Sequence, residues 1–308
     1  MNRLDSGGAV RSSPRPRVTI GVPVFNGEKY LGKCLDSLVT QTYQDIEILI
    51  CDNASTDGTA GICRSYAARD PRIRYVRNPE NIGLGGNFRK VLELAEGEYF
   101  KAAAADDWCA PEFVEHCVAA LDREPSAVLA YPLSRIVDDS GEGYDESHDG
   151  IDGNSELPSE RFIQLLENIR LCNALYGVAR TSVVRRTKWV ADYRSADSVF
   201  LAELTLYGKL REVPEVLFFR RFHTGDTTRM NQAGKIDQYL KPAGSKTIGM
   251  VCVTWRRLLA FVFAVFRAPI ALNEKAKLAW WLCRDSVWKR KELGSELLAA
   301  LRLILRKS

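Results

Sequence analysis

Short apolar runs alternate with helical segments along the first 131 residues, and this alternation constrains the fold more than any other feature. The first run, VTIGVPV, begins at Val18, and further strands are predicted at residues 46–51, 72–77, 98–103 and 127–131. Apolar residues at helical spacing predict helices between the strands, at residues 28–40, 59–68, 87–95 and 111–122. Strands joined by helices of this length require crossover connections. The pattern therefore predicts an α/β fold with a mostly parallel central sheet flanked by helices.

The second half of the chain is less regular. Residues 138–155 are acidic and rich in glycine, so we expect a loop there. Helices are predicted near 159–169 and 198–207, and strands near 174–179 and 215–222. Three helical segments follow, near 247–266, 273–290 and 292–306. We therefore divide the chain into a tail (1–16), an α/β domain (17–240) and a basic, amphipathic helical region (241–308).

Charge is distributed unevenly over the 308 residues. The net charge is +4, but residues 241–308 hold 14 Lys and Arg against 4 Asp and Glu. This excess predicts an anionic partner for the C-terminal region. Because Trp280, Trp281 and Trp288 lie among these cations, a membrane surface fits better than a nucleic acid. Packing of these aromatic side chains on the α/β domain or on a second subunit is the alternative.

Location in the cell is also suggested by the sequence. The apolar run at 261–266 is too short to span a bilayer. The first sixteen residues have no apolar core of a signal peptide, and the eight cysteines include no C-x-x-C pair. These features predict reduced thiols in a cytoplasmic protein that is peripheral on the inner face of the membrane.

Candidate binding residues follow three of the predicted strands, where ligands of open α/β sheets bind. They are Pro23, Phe25 and Asn26 at the end of the first strand, Asp52 and Asn53 after the second, and Asp106 and Asp107 after the fourth. Asp52 can accept a hydrogen bond from a base N–H, and Phe25 can stack on that base. The paired aspartates can hold a divalent cation through oxygen ligands. The alternatives are an Asx turn at Asp52 and a helix cap at Asp106 and Asp107.

These residues lie in two longer stretches, PVFNGEKYLGKCLDSLVTQTYQDIEILICDNASTDGT and NPENIGLGGNFRKVLELAEGEYFKAAAADDW. Together with SADSVFLAEL and RRFH, the stretches resemble glycosyltransferase family 2 over about residues 17–225. The resemblance implies the GT-A nucleotide-sugar-binding fold with a C-terminal helical appendage here. It also implies an inverting transfer from a nucleoside-diphosphate sugar, UDP-linked above all, to a saccharide or lipid-linked acceptor. Synthesis of cell-envelope or surface polysaccharide is the expected setting.

The resemblance assigns roles at the donor site. Asp52 resembles the family's base-reading aspartate, and Asp106 and Asp107 resemble its D-x-D metal motif in an altered form. We expect Asp107 to bind Mn²⁺ or Mg²⁺ directly, with Asp106 on the sugar or ribose. The expected donor-binding set is completed by Pro23, Phe25, Asn26, Asn53 and Asn87. Asn87, with Asn81 and Gly83, can also be an ordinary turn residue.

Two later residues complete the resemblance. Asp197, in Ala196-Asp197, resembles the catalytic base, which takes the proton of the acceptor hydroxyl. It also stands where it can be an N-cap of the helix that follows. His223 resembles an additional metal ligand of some relatives, and a purely structural histidine is the alternative.

Three other classes of protein are considered. A non-catalytic nucleotide-sugar-binding module is disfavoured because four candidate aspartates occur together. A nucleotidyltransferase needs a glycine-rich basic loop after the first strand, where this chain has PVFNGEKY. A nucleic-acid-binding role of the tail is disfavoured by its apolar, tryptophan-rich character.

Overall fold

The computed structural model describes residues 15–147, 151, 153–189, 195–223 and 252–305. The strands are β1 (Val18–Val24), β2 (Ile46–Asp52), β3 (Ile73–Arg77), β4 (Tyr99–Ala102), β5 (Trp108–Cys109), β6 (Ala127–Val137), β7 (Gly143–Ser147), β8 (Val178–Arg180) and β9 (Lys209–Arg221). The helices are α1 (Leu31–Val39), α2 (Thr59–Arg69), α3 (Leu84–Leu94), α4 (Phe113–Arg123), α5 (Pro158–Asn168), α6 (Thr181–Val184), α7 (Ala196–Thr205), α8 (Val253–Arg267), α9 (Leu272–Trp288) and α10 (Arg290–Leu305). A 3₁₀ turn covers Asn173–Tyr176.

One sheet of nine strands runs through the molecule in the order β3-β2-β1-β4-β8-β6-β9-β5, with β7 beside β6. The strands β3, β2, β1 and β4 are parallel neighbours, as are β6 and β9. The strands β8, β5 and β7 add antiparallel pairs. The α/β fold with helices on both faces of the sheet is thereby confirmed, and its parallel half places the ends of β1, β2 and β4 at one edge.

Apolar side chains pack on both faces of the sheet. Every residue of β1 and β2 is buried, which explains why these strands read as continuous apolar runs. The helices α1 and α4 cover one face, and α3, α5 and α7 cover the other. A Cβ at Gly21 would lie 2.0 Å from a methyl carbon of Val91, so this glycine lets α3 approach β1 closely.

The helices α8 and α9 share the second core. Phe162 of α5 makes edge-to-face contacts with Phe261 of α8 and Trp281 of α9, with ring centroids 5.6 and 6.5 Å apart. Arg267 of α8 forms an ion pair with Glu203 of α7, whose side chain is only 1% exposed. The predicted packing of C-terminal aromatic residues on the α/β domain therefore holds for Trp281, whereas Trp280 and Trp288 are 64% and 80% exposed.

Several predicted elements differ from those observed. The segment predicted as one strand at 174–179 is the 3₁₀ turn followed by β8, because the backbone turns sharply before Gly177. Part of the predicted loop at 138–155 forms β7, which extends the sheet beside β6. The predicted domain boundary at 240 and residues 1–14 of the predicted tail (1–16) lie outside the described residues. No helix in the described part of the chain is long and apolar enough to cross a membrane. All eight cysteines are free.

Candidate active site

Asp52 ends β2, in register with Val24 of β1 and Arg77 of β3. Its side chain is completely enclosed. One carboxylate oxygen accepts the backbone N–H of Ser55 at 2.8 Å, which is the Asx-type turn considered above. The other accepts the Tyr75 hydroxyl at 2.8 Å and the Arg77 guanidinium at 2.7 Å. The Asp52 side chain has no exposed surface in this arrangement, whereas Arg77 is 42% exposed at the same point.

Tyr75 and Arg77 are residues that the sequence-based assignment missed. They are two positions apart on β3, so both side chains leave the strand on the same face. Burial and the hydrogen bond to Asp52 raise the pKa of Tyr75, so its hydroxyl remains a donor to this carboxylate at neutral pH. The alternation of side chains along RIRYVR is the sequence pattern that could have pointed to these two residues.

The loop after β1 is tied to the loop after β2. Asn26, at φ 50°, donates its backbone N–H to Ser55 Oγ at 2.9 Å and accepts the Thr56 N–H at 2.8 Å. Phe25 is half-buried beside it, and Pro23 is buried within β1. Of the three predicted donor-binding residues at the end of β1, Phe25 and Asn26 therefore reach the surface and Pro23 does not.

A network of buried amides holds the loop between β3 and α3. Asn53 donates to Asn81 Oδ1 at 2.8 Å and accepts from the amide of Asn78 at 3.0 Å. Asn87 donates to the Cys51 carbonyl at 2.8 Å and accepts from the same Asn78 at 3.1 Å. Both Asn53 and Asn87 are 2% exposed. Asn53 and Asn87 thus hold the loop in place, and neither is exposed to a nucleotide-sugar donor as expected.

Asp106 and Asp107 follow β4 but have different surroundings. The Oδ2 of Asp106 lies 3.1 Å from Nε2 of His223, and the Asp106 side chain is 35% exposed. Asp107 is 5% exposed, and its Oδ1 accepts the Arg221 backbone N–H at 2.8 Å. The structure places the His223 imidazole beside Asp106, while Asp107 turns one oxygen inward to the end of β9. Asp107, the expected direct ligand, is thus the more buried of the two aspartates.

Arg221 connects these acidic residues to the loop that follows β6. It donates to the Asp106 carbonyl at 3.1 Å and to the Asp139 carbonyl at 2.6 Å. Its guanidinium also lies over the rings of Tyr30 and Trp108, 4.7 and 4.9 Å from their centroids. Arg221 is a positioning residue that sequence reasoning missed.

The side chains of Asp106 and His223 are suitable ligands for a divalent cation. A carboxylate oxygen and an imidazole nitrogen are accepted ligands of Mn²⁺, and Mg²⁺ takes the carboxylate readily. The described residues contain no group of three or more His, Cys, Asp or Glu side chains arranged around a metal position. Two protein ligands with open positions fit an ion that is completed by the phosphates of a substrate.

Asp197 lies in the first turn of α7, which begins two residues earlier than predicted. The N-cap residue is Ser195, at φ 64°, and Asp197 accepts the Ser198 N–H through Oδ1 at 2.8 Å. Its Oδ2 has no hydrogen-bond partner among the described residues. Asp197 therefore supports the helix start through its charge and one oxygen, without being the N-cap.

Tyr176 brings the acidic groups together. Burial raises the pKa of Tyr176 strongly, and the negative charges of Asp107, Asp106 and Asp197 raise it further. The positive charge of Arg220 acts in the opposite direction and lowers this pKa. Tyr176 and Asp197 line a cavity of about 850 Å³ that is bounded by the 3₁₀ turn, α7, β9, α8 and α9.

Known proteins of similar sequence match between about a third and two thirds of the chain. Putative glycosyltransferase EpsH of Bacillus subtilis is 30% identical over 209 residues, which are 68% of this chain and 56% of that protein. Glycosyltransferase GlyA of Streptococcus pneumoniae is 41% identical over 99 residues, 32% of this chain and 14% of the relative. Chondroitin synthase of Escherichia coli is 33% identical over 126 residues, 41% of this chain and 18% of the relative. The chain thus spans about half of one of these relatives and under a fifth of the other two.

Solved structures share the fold at low sequence identity. TarS of S. aureus in complex with UDP-GlcNAc superposes with a TM-score of 0.62 at 18% identity, over 89% of this chain and 74% of that one. Mannosyltransferase PcManGT of Pyrobaculum calidifontis, in complex with GDP-Man and Mn²⁺, gives a TM-score of 0.52 at 18% identity, over 94% and 87% of the chains. The sequence model described as Glycosyl transferase family 2 matches residues 19–192, more than half of the chain. This protein belongs to glycosyl transferase family 2.

Proposed function

We propose that this protein transfers a sugar from a nucleoside-diphosphate donor to an acceptor hydroxyl in a single displacement that inverts the anomeric carbon. The observation that carries the proposal is that Asp106 lies 3.1 Å from His223 after β4, while Asp197 lines the cavity together with Tyr176. The first pair offers ligands on the donor side, and Asp197 is a separate carboxylate on the side of the cavity. Such a division of roles suits one displacement with one base.

The donor base binds at the ends of β1, β2 and β3. Phe25 offers a half-buried aromatic surface for stacking, and Arg77 offers N–H donors to the carbonyl oxygens of a uracil. Asp52 acts behind Arg77, since its carboxylate holds the guanidinium at 2.7 Å. This assigns the predicted base-reading role to the pair, with Arg77 making the contact.

The donor diphosphate binds near Asp106 and His223. These two side chains would hold Mn²⁺ or Mg²⁺, and that ion would neutralise the charge of the departing nucleoside diphosphate. Asp107 secures the backbone of Arg221 at 2.8 Å, and Arg221 in turn donates to the Asp106 carbonyl. The protein thereby fixes the position of its ligands before the donor binds.

Asp197 is proposed as the general base. Its Oδ1 is held by the Ser198 N–H, which leaves Oδ2 to accept the proton of the attacking hydroxyl. The carboxylate faces the 850 Å³ cavity, where an acceptor has room to bind. Proton removal as the hydroxyl attacks is the contribution expected of such a base.

The acceptor is proposed to be a saccharide or lipid-linked molecule of the cell envelope or surface polysaccharide. Chondroitin synthase of E. coli is among the relatives. We also propose that α8–α10 bring the enzyme to the anionic inner face of the membrane. Support comes from ten Lys and Arg against four Asp and Glu in residues 253–305, and from the exposure of Phe266, Leu272 and Trp288 at 67%, 82% and 80%.

A panel of nucleotide-sugars tests the proposed function. Binding and hydrolysis of each donor are measured with Mn²⁺, with Mg²⁺ and with excess chelator, using the full chain. The proposal expects at least one UDP-sugar to bind and to turn over only with metal. Binding of a donor without hydrolysis or transfer under any condition would instead identify a non-catalytic nucleotide-sugar-binding module.

A further inference from the structure

The cavity beside Asp197 has a charged wall that the proposed donor chemistry does not use. Its lining includes five basic side chains, Arg170, Arg220, Arg257, Arg284 and Lys289. Three acidic side chains line it as well, Glu167, Asp197 and Asp285. Lys289 and Asp285 neutralise each other in an ion pair of 2.7 Å on α9. The remaining lining has four basic groups against two acidic ones.

The other cations of the lining differ in their contacts. Arg220 donates to the Leu171 carbonyl and to Asn173 Oδ1, both at 2.6 Å. Arg284 lies over the ring of Trp280, 5.2 Å from its centroid. For Arg170, Arg257 and Arg284, no carboxylate of the described chain lies within ion-pair distance.

Arg257 has the most constrained position of these cations. It is half-buried on α8, one turn before Phe261, which packs into the core against Phe162. A partly buried guanidinium without a counter-charge is costly unless a ligand supplies one. Its planar array of N–H donors matches the oxygens of a phosphate better than a single point charge does.

An apolar surface accompanies the cations. Phe261 and Trp281 line the same cavity, and Trp288, also in its lining, is 80% exposed. The indole N–H of Trp281 is buried and has no acceptor among the described residues. A ligand with a phosphate group beside an apolar chain would meet both kinds of surface.

We propose that this cavity is the acceptor site and that it selects an acceptor carrying a phosphate ester, with Arg257 as the residue that recognises the phosphate. The proposal rests on the proposed function, because it is Asp197 in the same cavity that makes this the acceptor side. A phosphate held by Arg257 would anchor the acceptor while its hydroxyl meets Asp197. Arg257 is therefore a specificity residue for the acceptor, with no part in binding the donor.

Calorimetric binding of octyl phosphate tests this site directly. UDP and Mn²⁺ are kept saturating so that the donor site is filled, and each amphiphile is used below its micelle concentration. Octyl β-glucoside is the uncharged comparison, and glucose 1-phosphate is the comparison without an alkyl chain. The variants are Arg257→Gln and Arg257→Lys, with Arg256→Gln as the matched control. Arg256 is the exposed neighbour on α8 and does not line the cavity.

We expect octyl phosphate to bind the unaltered chain and Arg256→Gln alike, and to bind Arg257→Gln about tenfold or more weakly. The affinity of Arg257→Lys for octyl phosphate should lie between these two values, because lysine keeps the charge but lacks the planar array of N–H donors. Equal binding to Arg257→Gln and Arg256→Gln overturns the proposal, and so does octyl glucoside binding as tightly as octyl phosphate. If glucose 1-phosphate binds as tightly as octyl phosphate, the result supports phosphate recognition and assigns the acceptor to soluble sugar phosphates. Octyl phosphate as the stronger ligand assigns it to lipid-linked ones.

Measurements on the same variants separate this inference from the proposed function. UDP affinity and melting temperature should be unchanged in Arg257→Gln, because Arg257 lies on the acceptor side, and donor hydrolysis should be unchanged in the control Arg256→Gln, which lies outside the cavity. A chain that binds no nucleotide-sugar would contradict the proposed function, whatever octyl phosphate does. A chain that binds and hydrolyses its donor but shows no phosphate preference would contradict only the acceptor assignment.

Discussion

The Oδ2 of Asp106 and the Nε2 of His223 lie 3.1 Å apart although 117 residues separate them in the chain. Asp106 follows β4, and His223 follows β9, so the sheet itself brings the two side chains together. Asp107, the neighbour of Asp106, points to the backbone of Arg221 instead. This difference between adjacent aspartates allows their roles to be tested separately.

Metal-dependent donor binding should depend on Asp106 and His223. Asp106→Asn and His223→Ala should each reduce the gain in UDP affinity that Mn²⁺ provides, by about tenfold or more, because each removes a direct ligand. Calorimetric titration of UDP with Mn²⁺ and with excess chelator measures this gain. Asp107→Ala should keep most of the gain and lower the free energy of unfolding by about 1–3 kcal/mol, because the Arg221 N–H loses its buried acceptor. If substitution of Asp107 abolished the metal-dependent gain and substitution of Asp106 left it intact, Asp107 would be the metal ligand.

Donor affinity should depend on Arg77 more than on the hydroxyl of Tyr75. Arg77→Gln removes the exposed donor at the proposed base site and should weaken UDP binding by roughly 1.5–3 kcal/mol. Tyr75→Phe leaves Arg77 in place and should change UDP affinity by less. The control is Arg69→Gln, which removes the same charge at an exposed position on α2. If UDP binds Arg77→Gln and Arg69→Gln equally, the base does not bind beside Arg77.

Turnover should require the carboxylate of Asp197. Asp197→Asn keeps a side-chain oxygen for the Ser198 N–H but cannot act as a base, so transfer should fall by roughly two orders of magnitude or more. The melting temperature and donor affinity should change little. Steady-state transfer rates and NMR analysis of the product's anomeric configuration provide the two readouts. Normal turnover of this variant, or a product that retains the donor configuration, would contradict the mechanism.

The docking of α9 should weaken in acid. The hydrogen bond from Lys277 at 2.7 Å, with that from the Ser159 N–H at 3.1 Å, lowers the pKa of Glu274 from 4.5 to about 2. A carboxyl with a lowered folded-state pKa stabilises the fold above its unfolded value, and this stabilisation is lost as the pH falls through the folded value. Glu274→Gln should therefore melt below the unaltered chain at pH 7.

The same linkage predicts how this difference changes with pH. The gap in melting temperature between the two chains should shrink progressively as the pH falls from about 4.5 towards 2. Thermal unfolding at several pH values measures the gap, and comparison of the two chains cancels the titration of other groups. A gap that does not change with pH would show that Glu274 contributes no charge-dependent stability.

Membrane binding should depend on exposed aromatic residues of α9 and not on Trp281. Replacing Trp280 and Trp288 together by Ser should weaken binding to vesicles containing anionic lipid, because both indoles are exposed. Trp281→Phe should retain binding, since Trp281 is packed against Phe162. Vesicle co-sedimentation with anionic and with neutral lipid measures the effect. Equal binding of the double variant and the unaltered chain would assign these indoles to another contact.

The sequence by itself determined the α/β class, the positions of the early strands and the acidic residues at their ends. The reason is local: buried parallel strands are continuous apolar runs, and the polar residues that follow them are adjacent in the chain. Val18–Val24 was predicted with the observed bounds. The resemblance of the longer stretches then identified the family, which the family match over residues 19–192 confirmed.

Only the tertiary structure decided which groups each side chain contacts. Asp106 and Asp107 are indistinguishable as adjacent letters, but successive side chains point in different directions, and one meets His223 while the other meets the backbone of β9. Arg77 encloses Asp52 because β2 and β3 pair in register, which no local pattern specifies. The cavity beside Asp197 arises because α8 and α9 return to pack on α5 and α7. Side-chain partners between distant segments depend on the packing of the whole chain, and so they could be seen only in the folded protein.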